Sequence, residues 1–384
     1  MIRRILTLAS VLVAVGALGA CSTVSRFNPL SSDTFKPTEL KAFKPELKAR
    51  VLWSASIGDS PDAALQPAAS ESVAYVASQD GIVSAIELES GKVVWKRDMK
   101  RRIAAGVAYT SGAVIFAAER GLVIALDQSG KDLWTFQAST EVFTPPAASV
   151  GTVIVRAADG RITALDASDG RRRWSFQRQL PPLTLRNPEP VTIAQSTVYA
   201  GYAGGKLLAM NLANGNLRWE ATVALPKGAT EIERISDVSG SPVISLRQVC
   251  AGTFQGRVGC FDLQNGASSW ARDFSTTVGV SADDRYVIGF SEKGEMHAFS
   301  RDGGAQVWRN EDYVFRKPQA PVVLGRSVVF SDSEGWLHAV ARDNGKPLAR
   351  VEVRGGAATG PVQLAERRVL VQTRGGYLNA VAVD

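Results

Sequence analysis

Three cysteines, two histidines and a set of recurring aspartates are the residues of this chain best suited to chemistry. His297 and His338 each stand three residues after a glycine, Gly294 and Gly335. A metal site takes three or four ligands, so two imidazoles supply at most part of one. The equivalent place elsewhere holds Ser84, Ile124, Thr163 and Leu208, a tolerance of type that suits structure better than ligation. Asp127, Asp166 and Asp262 recur at turns, where Asp bonds its local backbone. Cys250 and Cys260 flank Phe254-Gln255-Gly256 symmetrically and should face each other across a hairpin. Both a disulfide and a pair of small buried thiols satisfy that spacing. No HExxH, CxxC, phosphate-binding loop or nucleophile elbow occurs. The expectation is a chain with no catalytic residue, no metal site and no bound cofactor.

The elements that position these residues repeat. Glycines at 81, 121, 160, 205, 256, 294, 335 and 376 are separated by 38 to 51 residues, a period that signals an array of like units. Two residues beyond each glycine the side chain is apolar, four beyond it is Ala, and five beyond it is apolar again. Cys260 is the one departure from Ala. Each glycine thus ends a hairpin turn and starts a strand whose two faces are both covered. A second turn follows, as in Ser168-Asp169-Gly170-Arg171, and then a strand carrying Trp at 95, 134, 174, 219, 270 or 308. Upstream, strands opened by Pro190-Val191, Pro242-Val243, Pro321-Val322 and Pro361-Val362 complete four strands per unit.

Such units predict an all-β fold, an eight-bladed β-propeller of four-stranded blades. The last unit stops at Asp384 before its Trp strand, while Arg50-Val51-Leu52-Trp53-Ser54 precedes the first unit as a Trp strand without a blade. Each supplies what the other lacks, so the N-terminal strand is expected to close the ring over residues 50–384 and leave no bare sheet edge.

Composition agrees with one sizeable core: 45% of residues are hydrophobic and 21% charged. The first twenty residues have a basic start at Arg3 and Arg4 and an apolar run from Ile5 to Ala20, too short for a membrane span and patterned as a signal peptide. Removing them lowers the net charge from +7 to +5. That mild excess comes without interleaved aromatics, so nucleic acid is not an expected partner. Residues 21–49, with Lys36, Lys41, Lys44 and Lys48 and few large apolar side chains, read as a flexible tether.

Two resemblances follow from these motifs. Leu18-Gly19-Ala20-Cys21 resembles a bacterial lipobox, which implies that Cys21 becomes the acylated N-terminus, carrying palmitate among its chains. Ser22 after it resembles the signal for the outer membrane, where the protein would be lipid-anchored on the periplasmic face. Gly160-Arg161-Ile162-Thr163-Ala164-Leu165-Asp166 to Trp174 resembles the repeat of pyrroloquinoline-quinone propellers rather than of Trp-Asp repeat propellers. With the lipobox, eight repeats and two inserted segments, the mature chain is similar to the BamB family of outer-membrane assembly factors. That resemblance implies a non-catalytic scaffold of the β-barrel assembly (BAM) complex that binds the periplasmic domains of BamA. Unfolded outer-membrane proteins are a further candidate partner. The competing reading is a quinoprotein-like periplasmic oxidoreductase, but the adjacent cysteine pair and long loop set of those enzymes are missing.

The two inserted segments locate the expected partner face. Trp174 to Pro190 takes 16 residues and Trp219 to Pro242 takes 23, where Trp308 to Pro321 takes 13. Both fall in the same kind of connection at consecutive blade boundaries, so they are neighbours on one rim, and surplus loop length is often functional. Leu183-Thr184-Leu185-Arg186 and Thr230 to Asp237 resemble the family's segments that dock onto BamA. The resemblance assigns partner contacts to Leu183, Leu185, Arg186 and Asp237. The family often has a second acidic residue where this chain has Ser239. Alternation through Thr184 would put Leu183 and Leu185 on one side with Arg186 opposite.

Overall fold

The computed structural model describes residues 36–62, 65–185, 190–364 and 367–384. Its strands form eight separate four-stranded antiparallel sheets. The first blade comprises Ala68–Ala69, Val73–Ala77, Ile82–Glu87 and Val93–Asp98, and the rest follow in chain order. The first strands of successive blades contact one another and form the inner ring. The Trp-bearing fourth strands lie outermost.

The repeat pattern explains the stacking. Val83 and Ala85, two and four residues after Gly81, pack with Ile103, Val114 and Phe116 of the second blade. Ile86, on the other face of the same strand, packs with Leu370, Leu378 and Ala380 of the eighth. Period two therefore delivers side chains to both neighbours from one strand. The recurrent Ala has its own partner: Ala85, Ala125, Ala164, Ala209, Cys260 and Ala298 each sit opposite the Trp of the adjacent strand.

Each of those Trp side chains also reaches the following blade. The indole N–H groups of Trp53, Trp95, Trp134, Trp174, Trp219, Trp270 and Trp308 donate to a carbonyl in the next blade's third-to-fourth-strand turn at 2.5–3.0 Å. Each ring lies on that turn's glycine, from Gly91 under Trp53 to Gly345 under Trp308. These glycines have φ of 67–82°, and a Cβ on any of them would meet ring atoms at 2.3–3.1 Å. Backbone freedom and the space for the ring thus demand the same residue.

The ring closes as the termini predicted. Ala49–Ser56 pairs with Tyr377–Val383, and Trp53 lies opposite Ala380 as its counterparts lie opposite Ala. The seventh blade is the exception to the clasp, because Ala349 stands opposite Ala339 where the others carry Trp. The eighth blade offers no third-to-fourth-strand turn there for an indole to cover, since Lys48 and Asp384 instead exchange backbone hydrogen bonds at 2.9 Å. Residues 21–49, expected as tether, are described from residue 36. From Thr38 onward they lie against blades six to eight, so this part is bound chain rather than free linker. The expected signal peptide and Cys21 lie outside the described residues.

Candidate functional site

In a four-stranded antiparallel blade the connection to the next blade and the second-to-third-strand hairpin emerge on one face, and the other two turns on the opposite face. The two inserted segments are blade-to-blade connections. They run from Arg172–Phe176 to Thr192–Ala194 and from Leu217–Thr222 to Val238–Ser245, side by side on the face that also carries Gly160, Gly204-Gly205 and Gln255-Gly256.

Asp237 joins the two segments. It sits at the end of the second and is only 6% exposed. Its Oδ2 accepts the N–H of Leu185 in the first segment at 2.6 Å, and its Oδ1 accepts the N–H of Gly204 at 3.1 Å. Burial pushes the carboxyl up from its ordinary value, against the opposing pull of the two N–H donors and of Arg156. Its own carbonyl accepts the N–H of Phe254 at 2.8 Å, which ties the fifth blade's hairpin tip to the same point. The side-chain amide of Gln255 also lies against the carbonyls of Ile232, Glu233 and Ile235, an environment of acceptors that calls for its nitrogen on that side. The second segment has internal order as well. Glu233 accepts from the N–H groups of Ala229 and Thr230, while Thr230 Oγ1 accepts the N–H of Glu233, a reciprocal cap of one turn.

The expected contacts separate into different roles. Leu183 is 45% exposed on the rim. Thr184 and Leu185 both line a cleft of about 470 Å³ between blades three and four. The simple alternation expected for this segment therefore fails, because a bend at residues 182–183 interrupts it. Arg186 lies outside the described residues. Asp237, assigned to the partner by resemblance, has both oxygens committed within the chain and holds the first segment in place. Ser239 is buried within the inner strand Val238–Ser245, so the acidic place it replaces faces the core rather than solvent.

Residues the sequence reading passed over complete the cleft. The Arg156 guanidinium lies 4.6 Å from the Tyr202 ring, and the Tyr202 hydroxyl, pushed up to about 12 by burial, donates to Gly160 O at 2.9 Å. Phe143, on the connection between blades two and three, lines the same cleft and is half exposed. With Leu183, Leu225 and Ile232 it puts exposed apolar side chains on three successive connections of one face. Exposed aromatic and aliphatic groups beside buried polar anchors suit protein recognition.

The other chemistry-bearing residues lie elsewhere. Cys250 and Cys260 face each other in register, Cα atoms 4.0 Å apart, joined by a disulfide. His297 and His338 do not converge: His297 lies beside Glu295 and Gln306, and His338 bonds Asp332 at 2.9 Å. Among the described residues no group of three or more His, Cys, Asp or Glu is placed to hold a metal ion. Asp127, Asp166 and Asp262 each accept backbone N–H groups of their own turns.

A family model described as outer membrane protein assembly factor BamB matches residues 79–310 and 292–384. The chain is 39% identical to a Bordetella pertussis protein of that name over 98% of this chain and 97% of the relative. It is 35% identical to one from Burkholderia pseudomallei, over 88% and 90%. The crystal structure of BamB from Moraxella catarrhalis superposes with a TM-score of 0.80 at 25% identity, over 87% of this chain and all of that one. A quinohemoprotein alcohol dehydrogenase from Comamonas testosteroni superposes with a TM-score of 0.66 at 14% identity, over 87% of this chain and 76% of that one, a likeness of fold alone.

Proposed function

The chain belongs to the BamB family of outer membrane protein assembly factors, and from that premise we propose that it is a non-catalytic scaffold of the β-barrel assembly machinery. It docks on the periplasmic part of BamA through the two inserted connections and helps outer-membrane β-barrel proteins fold and insert. Acylation at Cys21 anchors it to the periplasmic face of the outer membrane. The observation that carries the docking surface is the Asp237 tie. A buried carboxylate spent on holding Leu185 and Gly204 pre-organises a rim that leaves Leu183 exposed and Leu185 lining the adjacent cleft, which cuts the ordering cost of association. Arg186 follows Leu185 in the sequence, and an Arg next to apolar residues is a composition common in binding hot spots. The oxidoreductase reading has only the distant likeness of fold in its favour.

The test is capture of the purified protein by the periplasmic part of BamA. The Leu183→Ala/Leu185→Ala/Arg186→Glu variant is expected to lose capture while melting within about 2 °C of the parent, an effect of the size usual for rim substitutions. Full capture by that variant would place the interface elsewhere on the propeller.

A further inference from the structure

The chain between the proposed lipid anchor and the ring is bound along the seventh blade, and its path is defined at both ends. Thr38 donates to Val314 O through its N–H at 3.0 Å and its hydroxyl at 2.8 Å, and accepts from Arg316 Nη1 at 3.0 Å. Arg316 is itself buried and fixed by Asp332 at 2.7 Å, so the acceptor at Thr38 satisfies a rigid donor. Leu40 packs on the aromatic cluster of blades six and seven, and the Arg350 guanidinium lies 5.5 Å from the Phe43 ring. Glu46 and Leu47 both donate to Leu348 O at 2.9 and 3.1 Å, and Leu47 enters the core shared by blades seven and eight.

Val314 lies in the connection between blades six and seven, on the face of the inserted segments. Leu348 lies at the start of an outer strand, Pro347–Glu352, just past the turn on the opposite face. The bound segment therefore crosses the height of the seventh blade, from the blade six–seven boundary at Thr38 to the blade seven–eight junction, which no Trp clasps, at Leu47. It delivers the upstream chain to the insertion-bearing face.

We propose that residues 36–48 are a strap that sets the orientation of the propeller to the membrane, with the insertion-bearing face at the blade six–seven boundary turned toward the lipid surface. This rests on the anchoring at Cys21 proposed above. Fourteen residues lie between Cys21 and Lys36. They span about 50 Å at most. A blade strand of five to eight residues is about 17 to 27 Å high. Presenting the opposite face to the bilayer would use up about half of that reach in passing back around the rim.

Position-specific quenching tests this with the full-length lipidated protein in vesicles that carry a spin-labelled lipid. A fluorophore is placed at Lys317→Cys, on the insertion-bearing face beside the strap's exit, or at Asp302→Cys, in the opposite-face turn of blade six. Quenching at 317 is expected to exceed that at 302 at least twofold, and a Leu40→Asp/Leu47→Asp strap variant should abolish the difference. Equal quenching in a protein that sediments with the vesicles overturns the strap's role and leaves the anchor standing. A protein that does not sediment overturns the anchor and the orientation together. Should the strap variant fail to fold, amide exchange on the parent decides: Thr38 and Leu47 should exchange at least a hundredfold slower than free chain, and free-chain rates refute the strap.

Discussion

The two faces of the disc are built from the same strands under opposite rules. On one face the third-to-fourth-strand turn presents a glycine to the neighbouring indole seven times over, with the same hydrogen bond each time. On the other, the blade-to-blade connections differ in length, composition and partner. The repeated face spends its residues on the ring: Trp, Gly and Ala recur because each junction poses one packing problem. The variable face is released from that problem, and there Asp237, the capped turn at Thr230 and the exposed apolar side chains of three connections come together. Departures from the repeat therefore carry more functional information than the repeat.

The largest effect should come from breaking the repeated face. Trp134 fills the space between blades two and three and donates to Ala167 O. Trp134→Ala removes a buried indole and leaves that carbonyl unpaired, at a cost of about 3 to 5 kcal/mol. Chemical denaturation would register it as a shift of midpoint, while capture by BamA at a temperature where the variant is folded should be unchanged. Lost capture by a well-folded variant would mean that the two faces are not independent.

Asp237→Asn breaks the variable face with little cost to the fold. The carboxylate receives two N–H groups, from Leu185 and Gly204, on two different oxygens. An amide offers one oxygen, so one donor must then face an NH₂ group. Relief of the buried charge offsets part of the lost hydrogen bond, and the net change in stability should be within about 1 kcal/mol. Capture by BamA should nevertheless fall, because the first segment loses its tie to the second. Capture equal to the parent would show that Asp237 does not organise the docking surface.

How much of this could be read in the sequence follows from which groups were involved. Blade number, strand pairing and the closing role of Trp53 are side-chain periodicities, and they were legible. The clasp was half legible: Trp and Gly were both seen, but Trp134 meets Gly170 of the next blade, a pairing that only the closed ring reveals. Asp237 was legible as a site residue but its contacts within the chain were not, since they are with backbone N–H groups that no residue type announces. Phe143 and Arg156 gave no signal because their connection and strand have ordinary length. The tether was misread from Thr38 on because its partners, Val314, Arg316 and Leu348, lie some 270 to 300 residues away. An amphipathic strap of Leu40, Phe43 and Leu47 among lysines looks like solvated linker until those partners are in place.

The smallest expected effect concerns an irregularity of the variable face that serves stability alone. Between blades six and seven that face holds Arg316, Asp332 and His338, all buried, with Tyr313 and Phe330 against the imidazole and Arg350 contributing positive charge nearby. Burial pulls His338 below its ordinary value of 6.5 despite the Asp332 hydrogen bond, so the folded protein holds it neutral, while the unfolded chain takes up a proton. A depressed folded value means that this contribution to stability is complete above about pH 6.5 and is lost as pH falls below it. At pH 5.5, one unit below that value, the loss is at most about 1.4 kcal/mol. Burial pushes Asp332 up, but its hydrogen bonds to His338, Trp336 and Arg316 outweigh that and hold it below its ordinary 3.8, so its share is lost only at still lower pH and does not enter this window. His338→Gln keeps a donor for Asp332 but does not titrate. Denaturation at pH 7.5 and 5.5 should therefore show a smaller decrease in the variant than in the parent, with BamA capture equal in both at pH 7.5. An identical pH dependence in the two proteins would remove His338 from the account, and a loss of capture in the variant would extend the partner surface to the strap side of the ring.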